Sequence, residues 1–120
     1  MSNNTQMAER RKHPRYATQG CIFVAGLKIG RLIDISRGGM AFYYADRKPW
    51  PQTILPRGSV RCTHEFMIPD LPTKIISDKE MPHNFKKGAM TVRRRSVSFG
   101  ELTATQLALL DRLIAIAAQA

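Results

Sequence analysis

Long apolar runs are missing from this sequence of 120 residues. A helix that spans a bilayer needs about 20 consecutive apolar residues, so no membrane-spanning helix is expected. Residues 1–9 are polar and lack the apolar segment of a secretory signal, which predicts a cytoplasmic protein. The length is that of one domain. We therefore expect a flexible tail at residues 1–9 and a single domain at residues 10–120.

Cysteine is scarce, since Cys21 and Cys62 are the only two. Two cysteines do not make a disulfide framework, and a reducing compartment keeps them as thiols. We expect both to be small core residues. Cys62 and His64 stand close enough to suggest a metal, but without a companion cluster they fall short of the four ligands of a zinc site. The sequence predicts no metal site.

Motifs of common enzymes are also absent. The sequence contains no GxSxG, no Walker loop and no HExxH. Its histidines, His13, His64 and His83, are scattered, and no nucleophile and base are paired by spacing. These absences predict a protein that is not an enzyme, with no catalytic residues and no cofactor.

Acidic residues are few, because 9 Asp and Glu stand against 19 Lys and Arg, for a net charge of +10. This excess favours an anionic partner, which includes nucleic acids, nucleotides, acidic membranes and acidic proteins. The basic residues cluster at 10–15, 86–87 and 93–95. Alternate side chains of a strand point to opposite faces, so we expect the cluster at 93–95 to be split rather than to form one patch.

From residue 20 onward the sequence contains apolar residues with a period of two, which is typical of strands. Gly26 and the stretch 36–39 are turn signals. In the second strand we expect one apolar face made of Leu27, Ile29, Ile33 and Ile35, with Pro69 and Pro72 bounding a later strand. The predicted strands are 21–25, 27–35, 40–45, 60–68, 73–77 and 90–99, and the predicted loops are 46–58 and 78–88.

The end of the chain has the pattern of a helix. Thr103 and Gln106 have the spacing of a capping box. Two apolar stripes follow, one from Leu107 to Ala117 and one from Leu109 to Ile116. One stripe is expected to cover the strands, and the other offers a surface for a homodimer. Antiparallel strands followed by one helix predict an all-β fold, a small barrel closed by a helix.

Two short motifs offer groups for binding an anion. In "RRKHPRY" at residues 10–16, Arg11 and Arg15 present planar forks that match phosphate oxygens or the O6 and N7 edge of guanine. Pro14 disfavours a helix, which favours an extended arm. In "DISRGGM" at residues 34–40, an aspartate, a serine and two glycines follow a predicted strand.

The groups of the second motif suit a guanine nucleotide. Asp34 accepts hydrogen bonds and can receive those of guanine N1–H and N2–H, while Ser36 can donate to a phosphate. Gly38 and Gly39 let backbone amides approach a ligand closely. The two motifs are joined by one strand and a turn, so we expect them to converge on one site.

Together, Arg11-x-x-x-Arg15 and Asp34-x-Ser36-x-x-Gly39 resemble the paired signature of the PilZ domain family, over roughly residues 10–118. The resemblance implies a six-stranded antiparallel PilZ-type β-barrel with a C-terminal helix, and a bacterial receptor for cyclic di-GMP. It also implies roles for individual residues: Arg11 and Arg15 clamp phosphates and guanine faces, Asp34 accepts from guanine, Ser36 is a polar contact and Gly39 permits the turn.

The resemblance further implies that Arg10, just before the motif, favours a stacked, intercalated dimer of the ligand. We expect the arm at residues 1–15 to become ordered on the ligand and to change the surface shown to an unidentified partner protein. Two alternatives stay open. One is a PilZ-like interaction adaptor that binds no nucleotide, and the other is a basic domain that binds nucleic acids in general.

Overall fold

The structure, a computed structural model, describes residues 13–51, 57–63, 66–82 and 90–119. These residues form seven strands and one helix. The elements are β1 (Tyr16–Ala17), β2 (Cys21–Ala25), β3 (Lys28–Ile35), β4 (Gly39–Asp46), β5 (Arg57–Cys62), β6 (Phe66–Glu80), β7 (Thr91–Phe99) and α1 (Ala104–Ala118).

Strands β2 to β7 close into an antiparallel barrel. The order around it is β3-β2-β5-β6-β7-β4, and β4 pairs back with β3. β1 is an additional strand on the end of β3, where Tyr16 pairs with Ile35 and Ala17 with Asp34. The predicted six-stranded barrel with a C-terminal helix is confirmed.

The inward face of β3 differs from the prediction. Leu27 is 101% exposed and Ile29 is 57% exposed, whereas Leu32 and Ile35 are buried. Gly30 also faces inward. A larger residue would not fit there, because a Cβ at Gly30 would lie 2.4 Å from Cδ1 of the Phe42 ring. An irregularity in register between Leu32 and Asp34 then turns Ile35 into the core.

The predicted strand at 60–68 is wrong, since its two halves belong to β5 and β6. The predicted loops were also too long, because Arg57 and Gly58 start β5 and residues 78–80 end β6. His64, considered above with Cys62 as a possible metal pair, lies outside the described residues.

Pro69 and Pro72 lie inside β6 and do not bound it. Between them, Asp70 has a positive φ of 55°, and the pairing with β5 shifts register at this point. The Gln106 side chain compensates for the irregularity, because Nε2 donates to the carbonyl oxygens of Pro69 at 3.0 Å and Asp70 at 2.8 Å. Non-local contacts thus allow prolines within a strand that sequence rules would end.

Cys21 and Cys62 form a disulfide, which corrects the prediction of two free thiols. The physical reason is the register of β2 and β5, which places the two residues directly opposite each other. Their Cα atoms are 4.1 Å apart although the cysteines are 41 residues apart in sequence. The prediction of a buried position is correct for Cys21, which is 4% exposed.

The capping box of α1 is confirmed. Thr103 Oγ1 accepts from Gln106 N at 3.1 Å, and Gln106 Oε1 accepts from Thr103 N at 2.9 Å. The buried face consists of Gln106, Leu110 and Leu113 and packs towards β6 and β1. It therefore takes one residue from each predicted stripe. Among the described residues no helix has the length and apolar character needed to cross a bilayer.

Candidate functional site

The structure brings the end of the arginine arm next to the turn. Pairing of β1 with the end of β3 places Arg15 beside the start of that turn. His13 lies against Gly38, since a Cβ at Gly38 would lie 3.0 Å from Cδ2 of His13. Arg15 is exposed at this junction. Arg10 and Arg11 lie outside the described residues.

The side chain of Ser36 is used within the turn. Its hydroxyl accepts from the backbone N–H groups of Gly38 and Gly39, each at 3.1 Å, and donates to the Gly39 carbonyl oxygen at 3.3 Å. The Ser36 N–H also donates to that oxygen, at 2.8 Å. Ser36 is 5% exposed. The geometry gives it the role of shaping the turn after Asp34.

Gly39 is required by close packing of strands. A Cβ at this position would lie 2.1 Å from the carbonyl oxygen of Val97. The turn is also attached to β7 by a 2.9 Å hydrogen bond from Phe99 N–H to the Gly38 carbonyl oxygen. Gly38 and Gly39 thus hold the turn against β7.

Asp34 has free hydrogen-bonding capacity at this junction. Its Oδ1 is buried and has no hydrogen-bond partner among the described residues. Its Oδ2 lies 3.8 Å from Nη2 of Arg94, and the side chain is 17% exposed. A buried acceptor without a partner costs about 1–3 kcal/mol, and such groups are rare in folded proteins. Asp34 is therefore prepared to accept hydrogen bonds from a ligand.

The arginines at 93–95 divide between two faces, as predicted. Arg93 and Arg95 point inward to Asp78, whereas Arg94 points outward to Asp34 with 38% of its side chain exposed. Sequence reasoning missed Arg94 as a site residue. The alternation of side chains places it on the outer face, but only the pairing of β7 with β4 shows that this face adjoins Asp34.

The inward arginines belong to a buried ionic network. Asp78, with a side chain that is 0% exposed, accepts from Arg93 Nε, from Arg95 Nε at 2.8 Å and from Tyr44 Oη at 2.5 Å. Burial raises the pKa of Asp78, but the hydrogen bonds from Tyr44, Arg93 and Arg95 outweigh it and leave that pKa lowered. Burial, followed by the bond to Asp78, raises the pKa of Tyr44.

Because Arg93 and Arg95 are engaged in this network, they are not available to bind nucleic acid. Arg95 is 1% exposed and donates through Nη2 to the Trp50 carbonyl oxygen at 2.8 Å. Among the described residues, moreover, no three metal-ligating side chains form a cluster. The network therefore supports the barrel, and Arg94 is the arginine of this run that points outward.

A groove of about 800 Å³ adjoins the junction, between β1 and the C-terminal half of α1. Arg15 stands on one wall and Arg112 on another, and the Cys21–Cys62 disulfide is also part of the lining. The turn contacts the same helix, because Arg37 Nε lies 3.0 Å from Asp111 Oδ1. Both partners are about half exposed, so the ion pair contributes little to stability.

Solved structures with the same fold include PilZ domains. The PilZ domain with c-di-GMP of YcgR from Escherichia coli matches with a TM-score of 0.71 at 21% identity, over 92% of each chain. YcgR in complex with c-di-GMP matches with a TM-score of 0.69 at 20% identity, over 92% of this chain and 46% of that one. The K. pneumonia MrkH–c-di-GMP complex matches with a TM-score of 0.65 at 13% identity, over 88% of this chain and 51% of that one.

By sequence, no protein-family model and no curated protein matches the chain. The structural likenesses show the fold: the chain has the PilZ fold, a closed barrel with one additional strand and a C-terminal helix.

Proposed function

We propose that this protein is a receptor for cyclic di-GMP, which binds where the arginine arm meets the turn at residues 34–39. The observation that carries the proposal is Oδ1 of Asp34, which is buried next to β1 and has no hydrogen-bond partner in the described part of the chain. It is supported by the likeness to YcgR and MrkH, whose structures are described with c-di-GMP.

The proposed roles follow from the chemistry of each group. Asp34 accepts from the N1–H and N2–H of one guanine. Arg11 and Arg15 bind phosphates and stack on guanine faces, because a guanidinium fork fits phosphate oxygens in pairs. Ser36 and the two glycines act mainly through the shape of the turn, which positions Asp34.

The arm supplies the switch in this proposal. Hydrogen bonds to charged groups contribute about 1.5–3 kcal/mol each, and stacking of arginine on guanine adds about 0.5–2 kcal/mol. These terms must exceed the cost of ordering the arm, about 1–2 kcal/mol per residue. Several such contacts together can reach micromolar affinity, which is a binding free energy of about −8 kcal/mol. The ordered arm then presents a new surface to a partner protein.

Calorimetric titration with cyclic di-GMP tests the receptor. We expect wild type to bind at micromolar concentration or below, and Arg11→Ala and Asp34→Ala to bind at least about 10-fold more weakly, since each loses hydrogen bonds to the ligand. Arg61→Ala is the matched control for charge, because Arg61 is exposed on β5, which β2 separates from β3. It should bind like wild type.

The outcomes separate the alternatives. Absence of heat and of a thermal shift with wild type would contradict the receptor and favour an adaptor that binds no nucleotide. Equal weakening by Arg61→Ala, together with steeply salt-dependent binding of any DNA or RNA, would favour the general nucleic-acid binder. Two ligands per chain would support the intercalated dimer proposed from Arg10, and one would exclude it.

A further inference from the structure

Arg94 lies two strands from Asp34 on the outer face of the barrel. β4 runs between them, and there Ala41 pairs with Asp34 on one side and with Ser96 on the other. Ala41 carries only a methyl group, so it leaves room for the Arg94 side chain to cross β4. Arg94 Nη2 thereby comes to lie 3.8 Å from Asp34 Oδ2.

The two side chains are close without using up their hydrogen bonds. A separation of 3.8 Å is too long for a hydrogen bond, and Arg94 makes none to the described residues. Asp34 Oδ1 is buried, and none of the described residues hydrogen-bonds to it. The pair therefore presents free acceptors and free donors side by side at one position.

This arrangement matches the edge of guanine. Along that edge guanine presents two donors, N2–H and N1–H, and then two acceptors, O6 and N7. A carboxylate fits the donors, and an arginine fork fits O6 and N7. Adenine reverses the order at the central positions, with an acceptor at N1 and a donor at N6. The carboxylate would then face the acceptor N1, and the guanidinium would face the donor N6, so neither could form a hydrogen bond.

We propose that Arg94 is a specificity-determining residue, which binds O6 and N7 of the same guanine whose N1–H and N2–H bind Asp34. The inference rests on the proposed function, binding of cyclic di-GMP at Asp34, and adds the residue that completes recognition of the base.

A chemically matched ligand isolates this contact. The 7-deazaguanine analogue of cyclic di-GMP keeps N1–H, N2–H and O6 and replaces N7 by carbon. We expect wild type to bind the analogue several-fold more weakly than the parent. Arg94→Ala should bind the parent roughly 10- to 100-fold more weakly than wild type does, and it should no longer distinguish parent from analogue. Arg94→Lys should behave similarly, because an ammonium has no fork.

The control is Lys79→Ala. Lys79 pairs directly with Arg94 from β6, on the side of β7 away from Asp34, and it is exposed. The Lys79→Ala change alters the charge of this face by the same amount as Arg94→Ala. Because Lys79 does not lie next to Asp34, the variant should keep the wild-type ratio of the affinities for parent and analogue. Circular dichroism should show the folded barrel in all variants.

The outcomes distinguish the inference from the function beneath it. If wild type binds parent and analogue equally, or Arg94→Ala keeps the wild-type ratio, the role of Arg94 is overturned while the receptor stands. If wild type binds neither ligand, both fail. Where a variant does not fold, equal binding of parent and analogue by wild type still overturns the role of Arg94.

Discussion

Single residues in this barrel carry charge in two contrasting ways. Asp78 is buried and fully engaged with Tyr44, Arg93 and Arg95. The Asp34 side chain is 17% exposed, and its buried Oδ1 has no hydrogen-bond partner within the described ranges. Paired buried charges belong to structure, and an unpaired buried acceptor is more typical of a site. The difference between these two aspartates separates a structural residue, Asp78, from the residue proposed to bind the ligand, Asp34.

Asp78→Asn should destabilise the fold strongly. The change leaves the guanidinium groups of Arg93 and Arg95 without their carboxylate, and breaking a buried pair in this way costs about 3–5 kcal/mol. Urea unfolding of the variant measures the loss. Asp70→Asn is the control: its ion pair with Arg57 is exposed, and it should cost under about 1 kcal/mol. Equal losses would contradict the role assigned to the network.

The same network predicts that the stability of the fold depends on pH in the acidic range. The pKa of Asp78 is lowered in the folded state, so the unfolded state binds the proton more readily. Its contribution is present above the unfolded pKa of about 4 and is lost as pH falls through the lower folded value. Wild type should therefore lose stability below about pH 4 more steeply than Asp78→Asn does.

At the scale of elements, the hairpin of β3 and β4 is part of the barrel and also carries the proposed binding residues. Its turn is shaped by Ser36 and fastened to β7 where Gly39 meets Val97. The irregular register before Asp34 turns the following residue inward. A local change here should therefore affect stability and ligand binding together.

Gly39→Ala should be more destabilising than Gly38→Ala. The new methyl at Gly39 would meet the backbone of β7 at 2.1 Å, whereas at Gly38 it would meet the side chain of His13 at 3.0 Å. A side chain can move aside, but a paired strand has to shift, at about 1–3 kcal/mol or more. Thermal unfolding of the two variants tests this order, and a reversed order would exclude the close packing described.

The helix connects to the barrel through a polar residue as well as an apolar face. Gln106 completes the capping box and also satisfies two carbonyl oxygens at the irregular part of β6. One side chain therefore ends up stabilising both the start of α1 and the strand that contains two prolines.

At the scale of the whole molecule, the Cys21–Cys62 disulfide joins β2 to β5 across 41 residues of sequence. A crosslink over a loop of this size stabilises by about 2–4 kcal/mol, mainly by restricting the unfolded chain. Reduction should lower the free energy of unfolding by that amount. Denaturant unfolding with and without dithiothreitol measures it.

The control for that measurement is the double variant Cys21→Ser, Cys62→Ser. Its stability should be close to that of reduced wild type and should not respond to dithiothreitol. A wild type whose unfolding is unchanged by reductant would contradict the crosslink.

The sequence by itself determined the features that depend on local spacing. The capping box of Thr103 and Gln106, the turn at Gly26 and a series of strands followed by one helix were predictable, because propensity and periodicity act over a few residues. The two binding motifs were also readable as patterns of side-chain chemistry. The structure then placed Arg15 beside the turn, as their order along the chain suggested.

Tertiary structure alone decided what depends on register and packing between distant strands. The disulfide, the inward position of Gly30 against Phe42 and the path of β6 through two prolines all follow from partners far away in sequence. The meeting of Arg94 with Asp34 across Ala41 is of the same kind. No local pattern reports which strands become neighbours, since closure of the barrel is a property of the whole chain.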